Sequence, residues 1–150
     1  MSAWAHRRIG AWGLVGAAIG ACGKVPVTPL GVVVQDARAF EAKSGSTAAA
    51  YFTLVNHSDS ADVLDSVTTR VARFASLHGQ KTENGFVTMT PIDRPTIAAH
   101  DSLVLQPGGA HLMLESVDRD LTAGHQLPLT LWLHRAGRID ATATVNPYGS

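Results

Sequence analysis

A turn followed by a strand can be seen in the stretch Leu105-Gln106-Pro107-Gly108-Gly109-Ala110-His111-Leu112-Met113-Leu114. Its Pro-Gly-Gly segment is typical of a turn. Successive side chains of a strand point to opposite faces, so we expect His111 and Met113 on one face and the two leucines on the other. One strand can therefore pack against a core and still present an imidazole and a thioether near its exposed start.

Similar short runs, rich in Val, Thr, Leu and Phe, continue through the chain from residue 32. Turn residues interrupt them about every ten positions, which is the pattern of an all-β sandwich or barrel. The predicted strands are Val32–Phe40, Ala49–Asn56, Asp62–Thr69, Arg73–His78, Phe86–Pro91, Thr96–Ala99, Ser102–Gln106, Ala110–Val117, Leu127–His134 and Arg138–Val145.

The connections between these runs are short and rich in turn residues, as at Glu83-Asn84-Gly85 and Arg135-Ala136-Gly137. Hairpins of this kind join antiparallel strands. We therefore predict an all-β, antiparallel Greek-key sandwich of the cupredoxin-like or immunoglobulin-like type. The segment Ala37–Ala50 is the one stretch whose alanine content could support a short helical turn, and Trp132 is expected in the core.

The composition excludes several classes of function. The chain has 150 residues, with 12 Lys+Arg against 12 Asp+Glu and 16% charged residues, so it lacks the basic surface of a nucleic-acid-binding protein. Its one cysteine excludes an internal disulfide, a Cys-x-x-Cys redox motif and a cysteine-rich zinc site.

The first residues have the layout of an export signal. Arg7 and Arg8 precede an uncharged stretch, Ile9–Ala21, which ends in small residues before Cys22. As a helix this stretch is about 20 Å long, too short for a hydrocarbon core of roughly 30 Å. We predict a signal peptide at residues 1–21, whose removal leaves 10 Lys+Arg against 12 Asp+Glu.

The sequence Ile19-Gly20-Ala21-Cys22 resembles the lipobox of bacterial lipoproteins, in which the cysteine is lipid-modified and becomes the new N-terminus. An ordinary secretory signal with an incidental cysteine is the alternative. Residues 22–31 contain two prolines and no periodicity, so we expect a tether there. The remaining residues, 32–150, form the predicted β-domain, on the extracytoplasmic side of a membrane.

Two histidines and two methionines have a defined spacing in this domain. Ten residues separate His78 from Met89, twenty-one separate Met89 from His111, and one separates His111 from Met113. The spacing resembles the HX10MX21HXM signature of the periplasmic copper(I) chaperones of the PCu(A)C family. Further segments similar to that family are Gly45–Asn56, Asp62–Val67 and Leu105–Leu114, and the likeness extends from Ser44 to about Val145.

The residues themselves also favour copper. Imidazole and thioether are neutral donors, and soft thioethers select Cu(I) over hard cations. A hairpin with its loop at Gln80–Gly85 is expected to bring His78 and Met89 together. The predicted metal ligands are therefore His78, Met89, His111 and Met113. The alternative is that they bind no metal, since a methionine or histidine taken singly is more often a packing or surface residue.

The other candidate groups have no such pattern. His57, His100, His125 and His134 are expected to be solvated loop or strand-end residues. Asp62 and Asp65 lack a partner at a spacing that would indicate a hydrolase. Gly79 and Glu115 stand where the family often has an acidic residue and a further methionine, and the chain has no His- and Met-rich tail. We expect one Cu(I) per chain and weak or no specific Cu(II) binding.

The resemblance implies a lipid-anchored copper carrier without enzymatic turnover. Its recipient would be the dinuclear copper centre of cytochrome c oxidase, or a thiol-bearing assembly factor that acts before it. Two alternatives remain at this stage. One is a metal-free lipoprotein β-domain that serves in adhesion or as a scaffold, and the other is a copper-dependent redox enzyme, which the missing cysteine ligand makes unlike a blue-copper carrier.

Overall fold

The computed structural model describes residues 31–148, and this part of the chain contains strands and turns but no helix. The predicted signal peptide, Cys22 and nearly all of the predicted tether lie outside the described residues. The ten strands are β1 (Val32–Phe40), β2 (Ala48–Asn56), β3 (Asp62–Thr68), β4 (Ala72–Glu83), β5 (Phe86–Pro91), β6 (Thr96–Ile97), β7 (Ser102–Val104), β8 (His111–Val117), β9 (Gln126–Leu133) and β10 (Gly137–Asn146).

The strands form one continuous hydrogen-bonded path in the order β5-β4-β8-β2-β1-β10-β9-β3-β6, with β7 paired to β2. Each neighbouring pair is antiparallel except β1 and β10, which are parallel. The path folds over a single core to which β2, β3, β8, β9 and β10 all contribute buried side chains. The predicted all-β antiparallel sandwich is confirmed, with this one parallel pair.

Strands β2 and β8 show why the sandwich forms. Alternate residues of β2 are buried, and Leu112 and Leu114 of β8 are completely inaccessible to solvent. Burying a leucine side chain contributes about 2 kcal/mol, so this alternation fixes which face of each strand points inward. The residues between them form the outer face of the same sheet.

Three local expectations were wrong. No helical turn forms within Ala37–Ala50, because both ends of this segment pair in β1 and β2. β4 does not end at His78 but continues to Glu83, since all six residues of β5 pair with residues 78–83 of β4. Trp132 is not in the core: it is 44% exposed, with the Arg138 guanidinium 6.0 Å from the ring centre.

Two buried polar side chains hold loops at one end of the sandwich. The Asn56 amide nitrogen donates to the carbonyls of Ser60, Ile97 and Ala98 at 2.9–3.1 Å. Its oxygen accepts from the backbone and the hydroxyl of Ser58. No hydrogen-bonding group of this amide is left without a partner, as a buried polar group requires.

The second is Asp62, whose carboxylate accepts from the backbone amides of Val63, Arg135 and Ala136 at 2.8–2.9 Å. Burial alone would raise the pKa of Asp62, but these three hydrogen bonds outweigh it and hold the pKa below its usual value. Asp62 therefore has a structural role as a negatively charged link between β3 and the turn after β9.

Among the described residues, no helix is long and apolar enough to cross a membrane.

Candidate metal centre

His78 and His111 lie directly opposite each other on the neighbouring antiparallel strands β4 and β8. Residues that oppose each other in this way project from the same face. Their rings are stacked, with centroids 6.0 Å apart and an angle of 28° between the planes. Residues 33 positions apart in the sequence are thus brought side by side by the strand register.

Met113 follows two residues after His111 in β8 and projects from the same outer face. Its cross-strand neighbours are Ser76 on β4 and Ala49 on β2, both small. The two leucines of β8 point into the core, as the sequence predicts. One strand therefore supplies both packing and two candidate ligands.

Met89 comes to this face from β5. It opposes Gln80, while Pro91, two residues later, opposes His78. Met89 is therefore the diagonal neighbour of His78 on the same face. The expected hairpin does bring this strand alongside β4, but its loop is not Gln80–Gly85: the ladder continues to Glu83 and Phe86, and only residues 84 and 85 form the turn.

The turn is tight because Asn84 and Gly85 both have positive φ, at 51° and 80°. An Asn-Gly pair in these conformations is the preferred two-residue hairpin turn, since its twist matches that of the strands. Next to the turn, β4 and β5 form a two-stranded ribbon. The last three residues of β4 and all six residues of β5 are exposed. Met89 lies on this ribbon.

A cavity of about 570 Å³ opens on the outer face beside these residues. Met89, His111 and Met113 line it, and His78 stands next to His111 at its edge. The accessibilities of the candidates differ widely: His111 is only 6% exposed, whereas Met89 is 53% exposed. The remaining lining residues are Phe40, Glu41, Thr47, Ala48, Ala49, Tyr51, Pro107 and Tyr148.

Hydrogen bonds fix the orientation of both imidazoles. His111 Nδ1 lies 3.3 Å from the carbonyl oxygen of Gly109, which can only accept, so in the neutral imidazole Nδ1 carries the proton and the lone pair is on Nε2. His78 Nε2 lies 3.0 Å from the hydroxyl of Ser76. A partner that holds one ring nitrogen and leaves the other available is the usual arrangement for a ligating histidine.

Aromatic side chains form the far wall of the cavity, a feature that the spacing of the candidate ligands did not reveal. The rings of Phe40 and Tyr51 meet edge to face at 5.7 Å, and those of Phe40 and Tyr148 at 6.1 Å. Arg38 lies over Tyr51 with its guanidinium 5.8 Å from the ring centre. The alternation of β2 could have identified Tyr51 as an outer-face residue.

The other four histidines of residues 31–148, His57, His100, His125 and His134, do not line this cavity. His100 pairs with Asp59 at 2.7 Å, and His125 contacts the hydroxyl of Thr122 at 2.9 Å. His134 Nδ1 is 3.8 Å from Asp65. In residues 31–148 no group of three or more His, Cys, Asp or Glu side chains is placed to hold a metal ion. The four residues on the outer face combine two imidazoles with two thioethers.

The fold is that of a PCuAC-type β-domain. A copper-bound PCuAC domain from PmoF2 superposes with a TM-score of 0.66 at 20% identity, over 80% of this chain and 97% of that domain, which shows the shared fold. Apo-DR1885 from Deinococcus radiodurans is 28% identical, with a TM-score of 0.58 over 97% of this chain and 98% of that one. Its Cu(I) form is 32% identical, with a TM-score of 0.56 over 88% and 85%.

The family model of the LpqE-like lipoproteins matches residues 32–145, and the chain belongs to this family. A relative from Leifsonia xyli subsp. xyli that is named as a lipoprotein, Lxx21020, is 34% identical over 102 residues. The match covers 67% of this chain and 61% of that protein, so the chain spans less than two thirds of the length of this relative.

Proposed function

We propose that this chain is an extracytoplasmic copper chaperone that binds one Cu(I) through His78, Met89, His111 and Met113. The observation that carries the proposal is the strand register, which brings four residues from three strands to one face. Similarity to the Cu(I) form of DR1885, at 32% identity, supports copper as the cargo.

The donor set suits Cu(I) for a chemical reason. Both thioethers are soft and uncharged, and neither requires deprotonation before it binds the metal. Carboxylates, which hard cations prefer, are scarce in the described cavity, where Glu41 is the only acidic lining residue. Cu(I) bound here would keep a charge of about +1 in a largely apolar setting, a smaller desolvation cost than for a divalent ion.

The arrangement favours transfer rather than catalysis. His111 is buried and oriented by Gly109, so it can act as a fixed anchor for the ion. Met89 is half exposed on a projecting ribbon and can be replaced by a ligand from another protein. Stepwise exchange of this kind requires no activated water and no turnover, so we do not assign an enzymatic activity.

We further propose that the protein is exported and anchored by lipid on Cys22, with residues 22–31 as a tether. Membership of a family of lipoproteins supports the anchor. The recipient that fits this role is the dinuclear copper centre of cytochrome c oxidase, or a thiol-bearing assembly factor that serves it. This assignment of the recipient rests on the resemblance in sequence.

An anaerobic titration tests the proposal. Residues 23–150 are titrated with Cu(I) against a chromogenic Cu(I) chelator, together with the single variants His78→Gln, Met89→Leu, His111→Gln and Met113→Leu. We expect a one-to-one complex that each variant weakens by at least about tenfold, the scale on which even residues supporting a metal ligand act.

His125→Gln is the matched control, because His125 is an exposed histidine remote from the cavity. It should bind Cu(I) like the unaltered protein. Equal affinities for all variants would refute the ligand assignment. If the unaltered protein takes up no Cu(I), the metal-free scaffold function replaces the chaperone.

A further inference from the structure

Strand β5 forms one end of the sheet, with β4 on one side and no described strand on the other. All six of its residues, Phe86–Pro91, are exposed, and none is charged. Phe86 is 76% and Val87 57% exposed. Natural proteins usually protect such an edge with charges, prolines, bulges or a covering segment, and an unprotected edge is a template for another strand. The one proline of β5 is its last residue, Pro91, so residues 86–90 carry neither a charge nor a proline.

The register identifies the backbone groups that this edge offers. Ile92 donates its backbone N–H to Leu77, and Pro91, which has no N–H, opposes His78. Hydrogen-bonded and non-hydrogen-bonded pairs alternate in an antiparallel ladder, so Thr90, Thr88 and Phe86 bond to β4. The N–H and C=O groups of Val87 and Met89 therefore point outward.

Met89 thus has two roles on this strand: its side chain faces the candidate copper site and its backbone faces the open edge. A strand added here would lie about 4.8 Å from β5. Directly opposed residues share a face at a Cα separation of about 4.5–5.5 Å. A side chain of the added strand opposite Met89 would therefore lie beside the copper ligand.

We propose that the protein which accepts copper docks by adding an extended strand to β5, with a cysteine or methionine opposite Met89. This inference rests on the proposed function. In the transfer the incoming sulfur binds Cu(I) and the Met89 sulfur leaves. If the incoming group is a thiol, its proton passes to solvent, and copper remains Cu(I) throughout.

The charges of the ribbon specify the segment that fits. Its ionic side chains, Lys81 and Glu83, pair with each other at 2.6 Å and project from the face opposite Met89. The docking edge is consequently neutral and favours an uncharged segment that has apolar side chains on the Met89 face and neutral polar side chains such as threonine on the other. A six-residue strand buries less than the roughly 1,200 Å² of a stable interface, which suits a transient transfer complex.

The test measures Cu(I) transfer from loaded residues 23–150 to two thiol acceptors in a stopped-flow experiment. One is a synthetic seven-residue peptide of alternating Thr and Val with a central Cys, and the other is glutathione, which cannot form a strand of this length. The variant Val87→Pro removes an outward N–H without removing a bond to β4. We expect this variant to slow Cu(I) transfer to the peptide about tenfold, because one docking hydrogen bond is lost and the proline ring blocks the approach of the peptide. Transfer to glutathione should be unchanged.

Val87→Lys provides a second variant that places a charge on the edge, and Val87→Thr is the control that should behave like the unaltered protein. Equal transfer rates for all four proteins would overturn the proposal. Sedimentation of the loaded protein tests the other occupant: a dimer abolished by Val87→Pro would assign the edge to a second copy and also overturn it. These outcomes differ from failure of the proposed function, in which the chelator titration shows no Cu(I) complex before any transfer is attempted.

Discussion

Leu112 and Met113 are consecutive residues of β8, and replacing each should damage a different property of the domain. Leu112 is fully buried in the core, whereas Met113 lines the outer cavity. Truncation of a buried leucine to alanine costs about 2–5 kcal/mol, because transfer free energy is lost and a cavity remains. For Leu112→Ala we expect a loss of about 3 kcal/mol in the free energy of unfolding and a fall in Tm of roughly 10 °C.

Met113→Leu should show the opposite result. Leucine has a similar volume, so the free energy of unfolding should change by less than about 1.5 kcal/mol. The thioether is lost, and Cu(I) affinity should fall by at least about tenfold. Urea unfolding of both variants, followed by chelator competition at a temperature where both are folded, separates the two effects.

Either of two results would contradict this division of roles between Leu112 and Met113. One is a Leu112→Ala protein that is fully folded in the assay yet has lost Cu(I). The other is a Met113→Leu protein that unfolds as easily as Leu112→Ala while binding Cu(I) normally. Both would mean that β8 does not divide its residues between core and copper in the way that its alternation indicates.

Three other substitutions test separate features. Asn56→Ala should lower the free energy of unfolding by about 3 kcal/mol in urea titrations, because the buried amide donates to three carbonyls and accepts from a backbone N–H and a hydroxyl. Because the folded protein lowers the pKa of Asp62, its carboxylate stabilises the fold at pH values above about 3.9, the pKa of an aspartate in the unfolded chain. This stabilisation is lost as the pH falls further, through the lower pKa of the folded state, so Asp62→Asn should reduce the pH dependence of acid unfolding in this range. Ser76→Ala frees the His78 ring, and Cu(I) affinity should fall roughly threefold to tenfold while Ser76→Thr retains it; an unchanged affinity in Ser76→Ala would show that the hydroxyl does not position the imidazole.

Most of the strands could be predicted because burial leaves a period-two pattern in the sequence. Strand β2 is the clearest example, since every second residue from Ala48 to Asn56 is buried. The starts of β1 and β5 follow from the turn residues before them, Gly31 and Asn84-Gly85. Parallel pairing of β1 with β10 could not be predicted, because the two strands lie at opposite ends of the domain and neither pattern specifies its partner.

The errors came from residues whose environment is set by neighbours distant in sequence. The fourth strand was expected to end just before Gly79, but its ladder with β5 continues past this residue. The side chain of Ile92 packs over Gly79, 3.5 Å from the point where a Cβ would lie. Trp132 is apolar, yet it occupies an outward position of β9 and is stacked against Arg138. In a short strand, the type of a residue does not by itself show which face of the strand its side chain is on.

The candidate site was accessible from sequence only as a set of spacings. The alternation of β8 predicts that His111 and Met113 share a face, but the opposition of His78 and His111 depends on the register of β4. The burial of His111 and the aromatic wall depend on tertiary packing. Local patterns thus suggest which side chains could act together, and the strand register is needed to place them.

X-ray absorption spectroscopy of Cu(I)-loaded residues 23–150 identifies the atoms that bind the copper. This part of the chain contains exactly two sulfur atoms, those of Met89 and Met113. We predict a one-to-one complex whose copper has both sulfur and imidazole nitrogen neighbours, with one sulfur lost in each single Met→Leu variant and both lost in the double variant. A copper ion surrounded by nitrogen and oxygen alone in the unaltered protein would contradict the account.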